Sequence, residues 1–174
     1  GEIISDNNND YIIGSCSKSI NFPTTAGTVQ STFNGGLQDG IVFKINSSLT
    51  AMNWSTFIGG NTYDAVYDCL IDNNGDLYIS GGTNSTNFTT TPGALNTSYQ
   101  GGVADGFLAH LNSTATTILS STFIGTNGYD QTFFVELDLD GDVYCMGQTE
   151  GQYPVTAGVY SNLNGKQFIH KLNP

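Results

Sequence analysis

The segment DNNGDLYISGG, Asp72 to Gly82, has counterparts at a fixed spacing along the chain. The counterparts are DNNNDYIIGSC from Asp6 and DLDGDVYCMGQ from Asp138, so the three copies begin 66 residues apart. Each copy begins and ends its turn with Asp and has Asn or Gly between them before an apolar segment, which is typical of a tight turn that leads into a β-strand. Self-similarity at a fixed period predicts a repeat architecture.

The residues around this segment predict four strands in each repeat. In the second copy, four short segments are rich in apolar, β-branched and aromatic residues: Ala65–Asp72, Asp76–Gly82, Asp105–Asn112 and Ile118–Gly125. No segment has a sustained helical period, and the density of Gly, Asn and Thr disfavours helices. The first copy has all four segments, whereas the third lacks the last.

We therefore predict an all-β fold of 11 strands, with two full propeller blades of four antiparallel strands and an incomplete third. The blades are expected at about residues 1–60, 61–126 and 127–174, the third lacking its outer strand. A propeller must close, and seven blades of this period would need roughly 460 residues. The chain is thus expected to be a fragment of a larger propeller or one subunit of a ring.

The segment Ser55–Asn112 resembles the SBBP repeat, the seven-bladed β-propeller repeat of bacterial and archaeal exported proteins. The matching motifs are STFIGG from Ser55, DNNGDLY from Asp72, NFTTTPG from Asn87 and DGFLAHLN from Asp105. The third copy departs from the pattern, because its loop is shorter and KQFIHKLN replaces the aspartate-led strand. The resemblance implies an exported, cell-surface protein whose signal lies outside this chain. It also implies that further blades or domains accompany these.

Composition excludes some partners. Fifteen Asp and Glu against four Lys and Arg give a net charge of −11, so the surface repels phosphate backbones and nucleic acid is not expected as a partner. No apolar run approaches the roughly 18 residues that a membrane span needs. The abundance of Asn, Ser, Thr and Gly suits turn-rich β-structure and an extracellular location.

The acidic turn of the third copy is a candidate metal site. Asp138, Asp140 and Asp142 alternate as in a calcium loop, but position 149 is Thr, where such a loop needs a bidentate Glu. All three copies have Asp, Asn or Gly in this slot, which favours a hairpin turn over an ion site. A Ca²⁺ site at these three aspartates is the alternative, and no other cofactor is expected.

The long loop between the second and third strands carries an aromatic residue in every copy: Phe22, Phe88 and Tyr153. A residue needed in each blade is expected to pack beneath its loop rather than to contact a ligand. The face that bears these loops is nevertheless the candidate ligand-binding surface, because loops on a rigid scaffold often carry binding. Asp39 and Asp105 are expected to anchor the loops by accepting backbone N–H groups.

No catalytic constellation stands out. Asp68 and Glu136 lie in first strands but at different repeat positions, and neither His110 nor His170 has a ligand-spaced partner in sequence. The three cysteines are expected to be small buried hydrophobes rather than disulfide partners. Since no catalytic set stands out, the resemblance implies a non-enzymatic cell-surface scaffold or adhesion module that binds a protein or glycan. A lectin-like propeller and a glycan-acting enzyme are the alternatives.

Overall fold

The computed structural model describes residues 1–162 and 164–173. Within these residues the fold is all-β, with eleven strands in three antiparallel sheets and no helix, as predicted. Nothing in the described part of the chain is a helix long and apolar enough to cross a membrane.

The three sheets follow one another along the chain and have the form of propeller blades. The first contains β1 (Glu2–Ser5), β2 (Tyr11–Ser17), β3 (Asp39–Ile45) and β4 (Met52–Ile58) in that order. The second contains β5 (Asp64–Ile71), β6 (Leu77–Thr83), β7 (Asp105–Leu111) and β8 (Ile118–Ile124). The third contains β9 (Asp130–Leu137), β10 (Val143–Thr149) and β11 (Gln167–Leu172), without a fourth strand among the described residues.

The hairpin between the first two strands has the same backbone in every blade. Its fourth residue is Asn9, Gly75 or Gly141, and each has a positive φ, of 59°, 84° and 87°. Glycine adopts this left-handed conformation without strain, and asparagine tolerates it better than other residues do. The turn chemistry seen in sequence therefore corresponds to a real backbone requirement.

The blades pack face to face, and the core lies between them. One cluster joins blades one and two through residues such as Val42, Val66 and Phe107, and a second joins blades two and three through Leu108 and Val135. Every residue of β6 is buried, whereas burial alternates along β2. The central strand of blade two is covered on both faces, which removes the alternation expected of a half-exposed strand.

A short parallel pairing locks each blade to the next. Tyr63, just before β5, pairs with Gln38, just before β3, and Tyr129 pairs with Ala104 in the same way. The Asp64 N–H donates to the Gln38 carbonyl of blade one at 3.0 Å. The Tyr63 carbonyl accepts the N–H of Asn84, which follows β6 in blade two, at 2.8 Å. The linker backbone therefore hydrogen-bonds to both neighbouring sheets, and it does so at both junctions.

The long loops of blades one and two lie along the outer strand of their own blade. Phe57 N–H in β4 donates to the Gln30 carbonyl at 2.9 Å, and Phe123 N–H in β8 donates to the Asn96 carbonyl at 3.1 Å. The Ser55 hydroxyl donates to the Pro23 carbonyl at 2.7 Å. An outer strand with unpaired backbone groups can pair with another chain and aggregate. The long loop covers these groups on β4 and on β8.

Candidate functional site

The first aspartate of each acidic turn folds the turn itself. Oδ1 of Asp72 accepts the backbone N–H of Asn74 and of Asp76, both at 2.8 Å. Asp6 and Asp138 accept the equivalent two N–H groups at 2.8 to 3.0 Å. One carboxylate oxygen of this residue is thus used locally in every blade, which leaves Oδ2 for other partners.

Each turn lies beside a side chain from the third strand, and we call the resulting groups the acidic turn sites. They are Asp6–Asp10–Lys44 in blade one, Asp72–Asp76–His110 in blade two and Asp138–Asp142–Lys171 in blade three. Lys44 Nζ forms an ion pair with Asp6 and lies 3.7 Å from Asp10 Oδ2. Lys171 Nζ lies 3.6 Å from Asp138 Oδ2 and is paired with Asp142.

The protonation of these groups follows from their surroundings. Burial raises the pKa of Asp6, but the Lys44 ammonium and two backbone N–H groups outweigh it and hold that pKa below its usual value. Burial lowers the pKa of His110, although Asp76 and Asp72 act against it. Blades one and three therefore neutralise their carboxylates with an ammonium, whereas blade two presents an imidazole that favours its neutral form.

The candidate calcium residues are not gathered around a common point. Lys171 lies between Asp138 and Asp142, and Asp140 is exposed at the turn tip. Across residues 1–162 and 164–173, the one set of three ligand types whose atoms all lie within 4.8 Å of one another is Asp72, Asp76 and His110. Sequence reasoning missed this set because His110 joins it only through the pairing of β6 with β7, in which it faces Tyr78. The sequence signal that could have found it is that Lys44 and Lys171 stand at the repeat position of His110.

The loop aromatics pack under their loops. Phe88 is 6% exposed and its ring centroid lies 4.5 Å from that of Phe107. Phe22 contacts Phe43 and Phe57 at 5.8 and 5.9 Å between centroids. Each ring holds its loop against the blade, and Phe88 has little surface left for a ligand.

Tyr153 is in the corresponding position in blade three. Its ring stacks on Phe168 at 4.1 Å, and its hydroxyl lies 2.7 Å from Nδ1 of His170. This hydrogen bond gives His170 a structural partner that the sequence did not indicate.

The loop-anchoring aspartates behave as predicted. Asp39 accepts the backbone N–H of Asn34 at 2.8 Å, and Asp105 accepts that of Gln100. Both carboxylates are fully buried and each lies near the aspartate that begins the next blade, Asp64 or Asp130. A Cβ at Gly59 would lie 3.1 Å from Asp39 Oδ1 and 2.9 Å from Asp64 Oδ2, so the glycine leaves room for this pair.

Burial changes the titration of Asp39 and Asp105. Burial, with a smaller contribution from the facing carboxylate, raises the pKa of Asp39 to about 6 and that of Asp105 to about 7. The folded chain thus binds protons at pH values where the unfolded chain has released them.

We expect the chain to be more stable at pH 6.5 than at pH 8. An acid with a raised folded pKa favours folding when protonated, and this contribution is lost as the pH rises through about 6 to 7. Below pH 6.5 the lowered pKa values of His110 and His170 make the folded chain less stable as the pH falls. The comparison is therefore made between pH 6.5 and pH 8. Urea denaturation should give a free energy of unfolding that is about 1 kcal/mol larger at pH 6.5 than at pH 8.

Asp105→Asn is the matched variant for this effect, because its amide oxygen can still accept the Gln100 N–H but does not titrate. The variant should show a smaller difference between pH 6.5 and pH 8. A pH dependence that is unchanged in this variant would contradict the assignment to Asp105.

The acids of the inner strands also have structural partners. Asp68 accepts the N–H of Val135 in the next blade at 2.8 Å. Burial raises the pKa of Asp68, and the negative charges of Glu2 and Glu136 raise it further. Glu136 itself is exposed. Asp68 therefore joins two blades.

The expectation of three buried cysteines is confirmed for Cys69 and Cys145 and wrong for Cys16. All three are free. Cys16 is exposed because it lies near the end of β2, beyond the segment around Ile12 and Gly14 that is buried against blade two.

No protein-family model matches the sequence of this chain, and no curated protein matches it either. Membership of the SBBP repeat family therefore stays a prediction that rests on the quoted motifs. The blade-like sheets are a finding of the structure.

Proposed function

We propose that this chain is part of a non-enzymatic β-propeller of the SBBP type that serves an exported protein as a cell-surface scaffold or ligand-binding module. The observation that carries the proposal is that the same backbone pairing joins the blades at both boundaries. Tyr63 and Tyr129 each bridge two sheets, and a buried aspartate pair lies beside each bridge. Such repeated fastening suits a rigid support that presents its loops at fixed spacing.

The hydrogen bonds of the acidic residues support a non-enzymatic role. Asp64 accepts hydrogen bonds from the Gly60 N–H at 2.8 Å and from the hydroxyls of Thr83 and Ser85. Asp39 and Asp105 hold the long loops, and Asp68 joins two blades. These carboxylates brace the fold, and their burial accounts for their raised pKa values without a catalytic role.

A repeated apolar position favours a binding surface at the long-loop end of the blades. Leu37 and Val103 occupy the same slot, 66 residues apart, just before the third strand of blades one and two. Leu37 is 74% exposed and Val103 68% exposed. Two equivalent exposed apolar side chains on a rigid frame suit contact with a protein or a glycan face, and the charge of −11 favours a neutral or basic ligand. Further partners would be the remaining blades, from the same chain or from a ring of subunits.

The test is an array of glycans and extracellular proteins probed with the 174-residue chain. We expect saturable binding without turnover, lost in the double variant Leu37→Asp/Val103→Asp at an unchanged melting temperature. Leu139→Asp is the control, because Leu139 is fully exposed in a turn at the opposite end of its blade. Binding confined to sugars would favour the lectin alternative, and hydrolysis of any arrayed glycan would overturn the non-enzymatic proposal.

A further inference from the structure

We propose that the acidic turn site of blade two, Asp72–Asp76–His110, binds a divalent transition-metal ion, with Zn²⁺ as the expected species. The three blades hold the same pair of turn aspartates at the same place. In blades one and three a lysine ammonium lies beside that pair, whereas blade two has an imidazole there. The fold thus places a cation at this position twice and offers a metal ligand at the third.

The distances suit a shared ion. His110 Nε2 lies 4.0 Å from Asp76 Oδ2, which is too long for a hydrogen bond. Two atoms that bind one Zn²⁺ at about 2.0–2.2 Å lie no more than about 4.4 Å apart. The three ligand atoms all lie within 4.8 Å of one another, so small side-chain rotations would bring them to bonding distance.

The atoms that face the site are those left over by the turn. Asp72 Oδ1 is used by the turn amides, and Asp76 Oδ1 accepts the Ser113 N–H at 2.8 Å. Asp76 Oδ2 is directed towards His110, and Asp72 Oδ2 has a 3.2 Å contact from the Asn74 amide, which would become an outer hydrogen bond to a ligating carboxylate.

The His110 imidazole is held in place by stacking, and its Nε2 has no hydrogen-bond partner in the part of the chain that the structure describes. His110 Nε2 is shielded from solvent and makes no hydrogen bond within the described residues. The ring stacks on Tyr78 with centroids 4.0 Å apart and an interplanar angle of 10°. A stacked, half-buried imidazole loses little freedom on binding an ion, which favours ligation.

The donor set selects the class of metal. One imidazole nitrogen with two carboxylate oxygens suits Zn²⁺ and its neighbours, whereas Ca²⁺ and Mg²⁺ prefer oxygen alone. Three protein ligands would leave a fourth position for water. We assign no reaction to that water, and the inference does not depend on the proposed binding function.

The test is a Zn²⁺ titration of the chelator-treated 174-residue chain by calorimetry, with melting temperature as a second readout. We expect one ion per chain and a higher melting temperature with Zn²⁺. His110→Lys introduces the residue that blades one and three carry. It should weaken Zn²⁺ binding at least about tenfold, since loss of a direct ligand exceeds the loss of an outer partner.

The lysine variant also controls for folding. Its ammonium can pair with Asp72 and Asp76 as Lys44 does with its aspartates, so the metal-free melting temperature should not fall. Asp76→Asn removes a second ligand and should also weaken Zn²⁺ binding. Cys16→Ser controls for the exposed thiol and should bind Zn²⁺ as the unaltered chain does. Failure of the chain to bind Zn²⁺, binding that survives His110→Lys, or binding lost in Cys16→Ser would overturn the proposal.

Discussion

Gly36→Ala is expected to lower the free energy of unfolding by about 2–5 kcal/mol, by adding backbone strain to a clash at the blade junction. Gly36 has a φ of +73°, and a Cβ there would lie 1.7 Å from the carbonyl oxygen of Thr62. Thr62 belongs to the linker that pairs with both blades, so its backbone cannot move without loosening the pairing of Tyr63. The substitution would therefore separate two sheets as well as strain one residue.

Gly27→Ala is the matched control in the same long loop. Gly27 has a φ of +86°, but no heavy atom lies within 4 Å of the Cβ position. The expected loss is the backbone strain alone, about 1–2 kcal/mol. Urea denaturation followed by the fluorescence of Trp54, the sole tryptophan, measures both variants. Equal losses would show that the junction tolerates the added methyl group.

Phe107→Ala should destabilise the chain by about 3–5 kcal/mol, because it opens a cavity at a fully buried site. Phe107 is 0% exposed and packs against Phe88, which lies beneath the long loop of blade two. We expect that loop, residues 84–104, to become sensitive to protease in the same variant, since its aromatic anchor loses a partner.

Phe134→Ala is the control for this substitution, because Phe134 lies in β9 and is 57% exposed. The change there should stay within about 0.5 kcal/mol. Urea denaturation and limited proteolysis of both variants give the comparison. Intact loop protection in Phe107→Ala would mean that the edge hydrogen bonds, rather than Phe88, hold the loop.

The strands could be predicted from the sequence because their signals are local. The predicted and observed ends of the strands of blade two differ by no more than one residue. Among the described residues no fourth strand follows β11 in blade three, as predicted. Turn residues with a fixed backbone need, such as Gly75, mark the strand ends directly. The anchoring role of Asp39 and Asp105 was also predictable, because it involves backbone a few residues away in the chain.

The contacts between distant segments could not be predicted in the same way. The exposure of Cys16 depends on where blade two stops covering β2. The approach of His110 to Asp72 and Asp76 depends on the register of β6 and β7. The partner of His170 is a tyrosine from the long loop. Each contact depends on which distant segments lie side by side in the folded sheets.

The sequence by itself determined the all-β class, the 66-residue repeat and the form of the acidic turns, because strand alternation and turn chemistry act over a few residues. Only the tertiary structure decided that the long loops cover the outer strands and that a lysine accompanies two turns while a histidine accompanies the third. Those outcomes depend on which segments meet when sheets form and stack. The meeting of segments 20 to 40 residues apart is set by register and packing, which a local pattern does not encode.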